Sequence, residues 1–332
     1  MGSSRQTMFR LRVLVTTVCS LLLVFDVRVL ALLQTSEASC IRDRLSPHKF
    51  RSILCDMDGT LLTDRHKSSI VSVKSIENIN RVGYPVIPAT GRSRQSMNDA
   101  TCNLFPRLFK VPRERLPGIY SQGLQVYAMD GSLVYERYLE SEAIAIAVNL
   151  CHQENMASVA CAGDEYFCEK TSSYTNKLPE YHEPLPQVFS AGLQKLRSLA
   201  YVNVNKLLIM AEEGKICQFR PVLEGQLRGL ATVTKAVPGM LEILPLGASK
   251  GDGVRRFLDH EGIDPSQVLA FGDGENDIEM LKLVKVGVAM GNAKAIVKEN
   301  ADLVTLSNND GGVGRVLDIL HDLVSNVYHS SM

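Results

Sequence analysis

The sequence predicts an α/β fold: a doubly wound parallel sheet whose chain is interrupted by an inserted α+β unit. Three observations carry this. Short apolar runs alternate with helix-spaced apolar residues from about residue 50, and again from about residue 247. Several of those runs end at once in glycine, carboxylate or hydroxyl residues, the chemistry of strand ends that face a ligand crevice. Between them, from about residue 131 to 246, the alternation gives way to hairpin and proline signals. The expected division is a presequence and linker (1–49), a first part of the core (50–130), the insert (131–246) and a second part of the core (247–332).

At the amino end, Arg5, Arg10 and Arg12 precede the apolar run 13–25, and Ser36-Glu37-Ala38 suits a cleavage point. This is the pattern of a signal sequence. The run is short for a membrane span, and Asp26 and Arg28 interrupt its extension. Residues 39–51 carry Arg42, Arg44, Lys49 and Arg51 among serines, which also fits the second half of a two-part organelle presequence. A retained membrane anchor and a secretory destination stay open.

Ile53-Leu54-Cys55 is the first buried strand, followed directly by Asp56-Met57-Asp58-Gly59. Side chains alternate along a strand, so Asp56 and Asp58 share a face if the extended geometry persists. Two carboxylates there suit a hard cation such as Mg2+, and one of them could attack phosphorus. A turn or a surface pair is the commoner setting for Asp-x-Asp. Ile70, Val73, Ile76 and Ile79 then mark one face of a helix that stops at Gly83. Residues 85–89 are the next strand, ending in Thr90-Gly91-Arg92-Ser93, with a helix from Ser93 to about Phe105. A hydroxyl, a glycine and a helix start can hold phosphate oxygens, and the same residues also make an ordinary N-cap. Residues 118–120 give a third strand. Asp130-Gly131 then turns a hairpin into residues 133–135.

In the insert, a helix is expected over 142–152, a hairpin over 159–170 around Gly163-Asp164, and a loop at Pro179, Pro184 and Pro186. Strands are expected over 204–210 and 241–244. Glu165, Tyr166, Lys170, Tyr174 and His182 are candidates for a substrate pocket, although solvated surface is the commoner place for such side chains. Strand–helix alternation then returns. Lys250 stands at a helix N-terminus, electrostatically poor for the dipole unless an anion lies near it. Residues 268–271 form a buried strand ending in Gly272-Asp273-Gly274-Glu275-Asn276-Asp277, which again has the chemistry of a cation and phosphate site. The alternating ligands and closing Glu of a calcium loop are missing there. Strands at 286–290 and 303–305 and a helix carrying Val313, Leu317 and Leu320 complete the chain.

Lys+Arg and Asp+Glu are both 36 of 332 residues, so no basic excess points to nucleic acid. Without residues 1–38 the balance is 32 basic to 34 acidic, a formal charge of −2, since four arginines, Asp26 and Glu37 are removed. Eight scattered cysteines form no Cys-x-x-Cys pair and fit reduced, packed thiols.

In order, Asp56-x-Asp58-Gly59-Thr60, Thr90-Gly91-Arg92, Lys250 and Gly272-Asp273-Gly274-x-Asn276-Asp277 resemble the four motifs of the haloacid dehalogenase (HAD) superfamily. Ile-Pro-Ala-Thr-Gly-Arg, Ser-Lys-Gly and Gly-Asp-Gly-Glu-Asn-Asp resemble its Cof-type, subclass IIB phosphatases, over residues 50–325. Residues 122–127 and 240–245 resemble plastid members from plants and algae. The resemblance implies a Rossmann-like HAD core with an α+β cap, and hydrolysis of a small phosphorylated metabolite such as a sugar phosphate, pyridoxal phosphate or FMN. It makes Asp56 the nucleophile, forming an aspartyl-phosphate, and Asp58 the acid and base. Mg2+ would be held by Asp56, Asp273, Asp277 and the backbone carbonyl of Asp58. Thr90, Gly91 and Lys250 would bind phosphate, with help from Asn276. Many members have Asn-Gly-Ala where this chain has Gln122-Gly123-Leu124, one methylene longer, so no substrate contact is carried over to Gln122. The expected location is a plastid, with no membrane contact after processing. A phosphomutase-type transferase and a phospholigand-binding module without turnover are the alternatives; retention of both Asp56 and Asp58 argues against the latter.

Overall fold

The computed structural model describes residues 38–46, 49–235 and 237–330. The basic and apolar segments of the expected presequence lie outside the described residues. The described residues divide into two units, 49–321 and a smaller one made of 38–46 with 322–330. In the smaller unit, residues 38–45 are helical. No described helix is long and apolar enough to cross a membrane.

Within residues 49–321 the strands form three sheets. The first is five-stranded and wholly parallel, in the order β14-β13-β12-β1-β2. β12 (Val268–Gly272) is its central strand, with β1 (Ser52–Cys55) and β2 (Val86–Pro88) on one side and β13 (Val286–Ala289) and β14 (Leu303–Val304) on the other. These strands are near-continuous apolar runs because the sheet is covered on both faces. Leu54, Ile87, Val268 and Ala270 pack with Val254, Phe257 and Met280 from the helices Lys250–Glu261 and Ile278–Leu283. The sheet runs outward from β1 in two directions, and ligands bind at such a switch point, beyond the carboxyl ends of the strands.

The second sheet is a small antiparallel one of β3 (Gly118–Tyr120), β4 (Gln125–Tyr127) and β5 (Leu133–Glu136). A single parallel bridge, Ala89 to Ile119, joins it to the end of β2. The third sheet is the inserted α+β unit, six strands in the order β10-β11-β9-β6-β7-β8. It runs from β6 (Ala157–Ala162) and β7 (Glu165–Cys168) through β8 (Gln187–Val188) and β9 (Lys206–Met210) to β10 (Ala231–Lys235) and β11 (Met240–Pro245). One face packs on the helices Ser141–Gln153 and Glu213–Gln226 through Ala147, Ile209, Phe219 and Ile243.

Two local expectations are corrected. The helix from Ser93 is two helices, Arg94–Ala100 and Leu104–Phe109, because Cys102 and Asn103 take left-handed conformations (φ 50° and 58°) that break it. Pro179 lies inside the 3-10 helix Thr175–Tyr181 rather than in a loop. The predicted turn at Gly163-Asp164 joins β6 to β7 as a hairpin. The described cysteines are free, with Cys55, Cys151, Cys161 and Cys168 buried.

Candidate active site

Parallel pairing of β1 with β12 sets Cys55 opposite Phe271, so Asp56 and Asp273 emerge side by side at the carboxyl edge of the sheet. The Asp56 N–H donates to Phe271 O at 3.1 Å, which continues the ladder one residue further. The glycine-rich turn after β12 folds Asp277 back beneath them. Its Oδ2 accepts the N–H groups of Asp273 (3.0 Å) and Gly274 (2.9 Å). One ligand oxygen from each of Asp56, Asp273 and Asp277 can be chosen so that all lie within 4.8 Å of one another. Thr60 Oγ1 donates to Asp273 Oδ1 at 2.9 Å. Gly59 makes this approach possible: its φ is +74°, and a Cβ there would stand 2.3 Å from Asp273 Oδ2.

Lys250 is the first residue of its helix, whose N-cap Ser249 accepts from the Asp252 N–H. The ammonium is fully buried and donates to Asp56 Oδ1 (2.7 Å) and Asp277 Oδ1 (2.6 Å). Burial alone would lower its pKa, but Asp277 and Asp56 more than offset that and hold it up. One ammonium does not balance three carboxylates. Burial, then Asp277, pushes Asp56 well above the usual carboxylate range. The same two causes push Asp273 up to about 6. A crowded, buried set of hard oxygen donors with excess negative charge fits Mg2+.

Thr90 and Gly91 sit at the end of β2, zipped to the turn Ser121–Gly123. The Gln122 N–H donates to Thr90 O (3.1 Å) and the Ser121 N–H to Arg92 O (2.8 Å). Thr90 is buried, and its Oγ1 accepts from the Arg92 N–H at 3.1 Å. Gly91 packs closely on Gln122: a Cβ there would meet Gln122 Nε2 at 2.5 Å and displace that side chain. Asn276 Nδ2 donates to Gln122 Oε1 at 3.0 Å. Asp58 is half-exposed and held by Arg92, whose Nε and Nη2 reach Oδ2 and Oδ1 at 2.7 and 2.6 Å. His66 Nδ1 lies 3.7 Å from the same carboxylate.

The structure therefore gathers Asp56, Asp273, Asp277 and Lys250 in one cluster. It joins Thr90 and Gly91 to Asn276 through Gln122, and sets Asp58 against Arg92. Several participants were not assigned from sequence. Arg92 was visible as the arginine of Thr-Gly-Arg but had no partner until the fold supplied Asp58. Lys206 Nζ donates to Gly91 O and Glu242 Oε2 accepts from Gln122 Nε2, both at 3.0 Å; they are charges within apolar strands of the insert, and that mismatch was their only signal. Of the pocket candidates, Tyr166 is buried and donates to Glu183 Oε2 (2.7 Å), while Glu183 lies 3.9 Å from Arg92. Tyr174 lines a cavity of about 320 Å3 with Tyr181, Met210 and Met240. Glu165 and Lys170 are exposed and His182 is half-buried.

Residues 53–317 match the family model of haloacid dehalogenase-like hydrolases. A chloroplastic endoribonuclease YBEY of Arabidopsis thaliana is 33% identical over 281 residues, 81% of this chain. This chain spans only 46% of that relative's length. A 5-amino-6-(5-phospho-D-ribitylamino)uracil phosphatase of Bacillus subtilis is 26% identical over 268 residues, covering 80% of this chain and 93% of its own. A HAD/COF-like hydrolase of Plasmodium vivax, solved by crystallography, superposes with a TM-score of 0.75 at 26% identity, over 85% of this chain and 99% of its own.

Proposed function

The chain belongs to the haloacid dehalogenase-like hydrolases, and from that premise we propose that it is a phosphatase that hydrolyses a small phosphorylated metabolite, with Mg2+, through an aspartyl-phosphate on Asp56. The observation that carries the proposal is the place of Asp56: buried, bonded to Lys250 and beside Asp273 and Asp277. Asp56, Asp273 and Asp277, with the backbone carbonyl of Asp58, would hold Mg2+, whose charge offsets that of the phosphate and of the carboxylates around it.

The chain's own residues then divide the work. Asp56 attacks phosphorus, forming a carboxyl–phosphorus bond as the ester P–O bond breaks. Asp58, protonated and turned out of the Arg92 fork when substrate binds, gives its proton to the departing alcohol oxygen. It then takes a proton from the water that attacks phosphorus, releasing phosphate and restoring the Asp56 carboxylate. Lys250 reduces the repulsion between a carboxylate nucleophile and a phosphate dianion, and stabilises the charge that builds as they meet. The Thr90 hydroxyl, the backbone N–H at Gly91 and the Asn276 amide hold the other phosphate oxygens. The insert acts as a cap that shields the site from water and selects the alcohol.

A plastid destination belongs to the same proposal. It rests on the two-part amino end and on the Arabidopsis relative, which is named as chloroplastic. A fluorescent fusion of residues 1–50 confined to the secretory pathway contradicts it. The catalytic reading is tested by phosphate release across a panel of phosphorylated metabolites, with Mg2+ and with EDTA. Metal-dependent release by the wild type, abolished by Asp56→Asn, is the expected result. Wild-type release from Asp56→Asn contradicts the mechanism.

A further inference from the structure

The peptide between Gly91 and Arg92 is held from both sides. Its carbonyl oxygen accepts from Lys206 Nζ at 3.0 Å, and its N–H donates to Thr90 Oγ1 at 3.1 Å. A peptide unit is planar, with C=O and N–H pointing in opposite directions. Fixing the carbonyl therefore fixes the N–H. A hydroxyl has one hydrogen and two lone pairs. With a lone pair committed to the Arg92 N–H, the Thr90 hydrogen points away from that peptide and is free to be given to an anion.

Lys206 is 115 residues from Gly91 in sequence and belongs to β9 of the insert. It is buried, as is its partner Glu242 on β11, whose Oε1 accepts from Lys206 Nζ at 2.5 Å. The other oxygen of Glu242 accepts from Gln122 Nε2, and Gln122 accepts from Asn276, both at 3.0 Å. One ion pair on the insert thus touches the Thr90-Gly91 turn directly and the Asn276 loop through Gln122. A buried ion pair is a weak contributor to stability, and well-packed apolar side chains often serve a sheet as well or better. The outward contacts of this pair go to the loop after β2 of the parallel sheet and to the turn between β3 and β4.

We propose that Lys206 is a positioning residue for phosphate: from the insert, through the Gly91–Arg92 peptide, it sets the Thr90 hydroxyl as a donor, with Glu242 as its counter-charge and as the link to Gln122 and Asn276. This rests on the reading of Thr90 as a phosphate ligand given above. The phosphate subsite is complete only with the insert seated, so acceptance of the alcohol by the insert and grip on the phosphate are coupled.

The test uses inorganic phosphate as the probe, with Mg2+ present. Its dissociation constant is measured by calorimetry, beside KM and kcat for an accepted substrate, in four proteins. These are wild type, Lys206→Met/Glu242→Leu (which leaves neither charge buried alone), Thr90→Val, and the three substitutions together. The expected result is that the charge-free pair raises the phosphate dissociation constant and KM about tenfold, the worth of one good hydrogen bond. In the Thr90→Val background the same pair changes them less than about twofold, because its route is already cut. Unchanged phosphate binding in the charge-free pair, a fall in kcat alone, or effects that add fully to those of Thr90→Val overturn the proposal. If Thr90→Val itself leaves phosphate binding unchanged, the phosphate reading of the site falls as well. If Thr90→Val weakens binding and the charge-free pair does not, only the role of Lys206 falls. Lys206→Gln/Glu242→Gln, which also leaves neither charge buried alone, supplies the same comparison if the apolar pair does not fold.

Discussion

At the scale of single residues, Asp273 shows how the site handles charge. Its carboxyl is pushed up to about 6, by burial first and then by Asp277. An acid with a raised pKa holds its proton over a wider pH range in the folded protein, so a cation must compete with that proton below about pH 6. The Mg2+ concentration giving half-maximal activity is therefore expected to rise as pH falls through about 6, by close to tenfold per unit below it. Magnesium titrations of activity between pH 5 and 8 check this, and a requirement independent of pH across that range contradicts it. Gly59 makes a second point. Alanine there must adopt φ +74° and stand 2.3 Å from Asp273 Oδ2, so the carboxylate has to move. A shift of about 1 Å in a reacting group can cost on the order of a hundredfold. Gly59→Ala is expected to lose at least about tenfold in kcat/KM and to need more Mg2+; wild-type kinetics would show that the carboxylate does not need this backbone approach.

At the scale of elements, the site is a meeting of strand ends and helix starts. Asp56 and Asp273 are adjacent because β1 pairs with β12, and Lys250 reaches both Asp56 and Asp277 because its helix begins there. Removing the lysine leaves buried carboxylates without their counter-charge. Lys250→Met is expected to destabilise the metal-free protein by about 3–5 kcal/mol, with part of that recovered in Mg2+. Urea denaturation with and without the metal measures it, and equal losses in both conditions would contradict a shared electrostatic role. Leu54→Ala, in the fully buried β1, is expected to cost about 2–5 kcal/mol through the cavity it leaves.

The same elements explain what the sequence could reveal. Asp56, Thr90, Lys250 and Asp273 follow apolar runs or open helices, so local pattern locates them. The break at Cys102–Asn103 was hidden because the apolar spacing runs on through it, and only the left-handed backbone ends the first helix. Lys206 and Glu242 could be seen as charges in apolar strands, but their meaning lies in contacts with Gly91 and Gln122 that no local pattern encodes. Arg92 and Asp58 are likewise 34 residues apart and meet only in the fold.

At the scale of the whole molecule, a parallel sheet carries the clustered carboxylates and an inserted six-stranded sheet reaches across to the loops beside them. The balance of 36 basic and 36 acidic residues leaves no general field for a polyanion, so recognition of phosphate falls to a few buried groups. The inserted sheet is where the identity of the alcohol is expected to be read, and through Lys206 it also touches the Thr90-Gly91 turn. The central claim is that the phosphoryl group passes through Asp56. The most direct measurement is a rapid-mixing experiment with an accepted substrate radiolabelled in its phosphoryl group, quenched in acid and followed by peptide mapping. A transient label on the peptide carrying Asp56, absent in Asp56→Asn and longer-lived in Asp58→Asn, is the predicted result. Product formed with no labelled protein before the steady state, or a label on any other residue, would contradict the account.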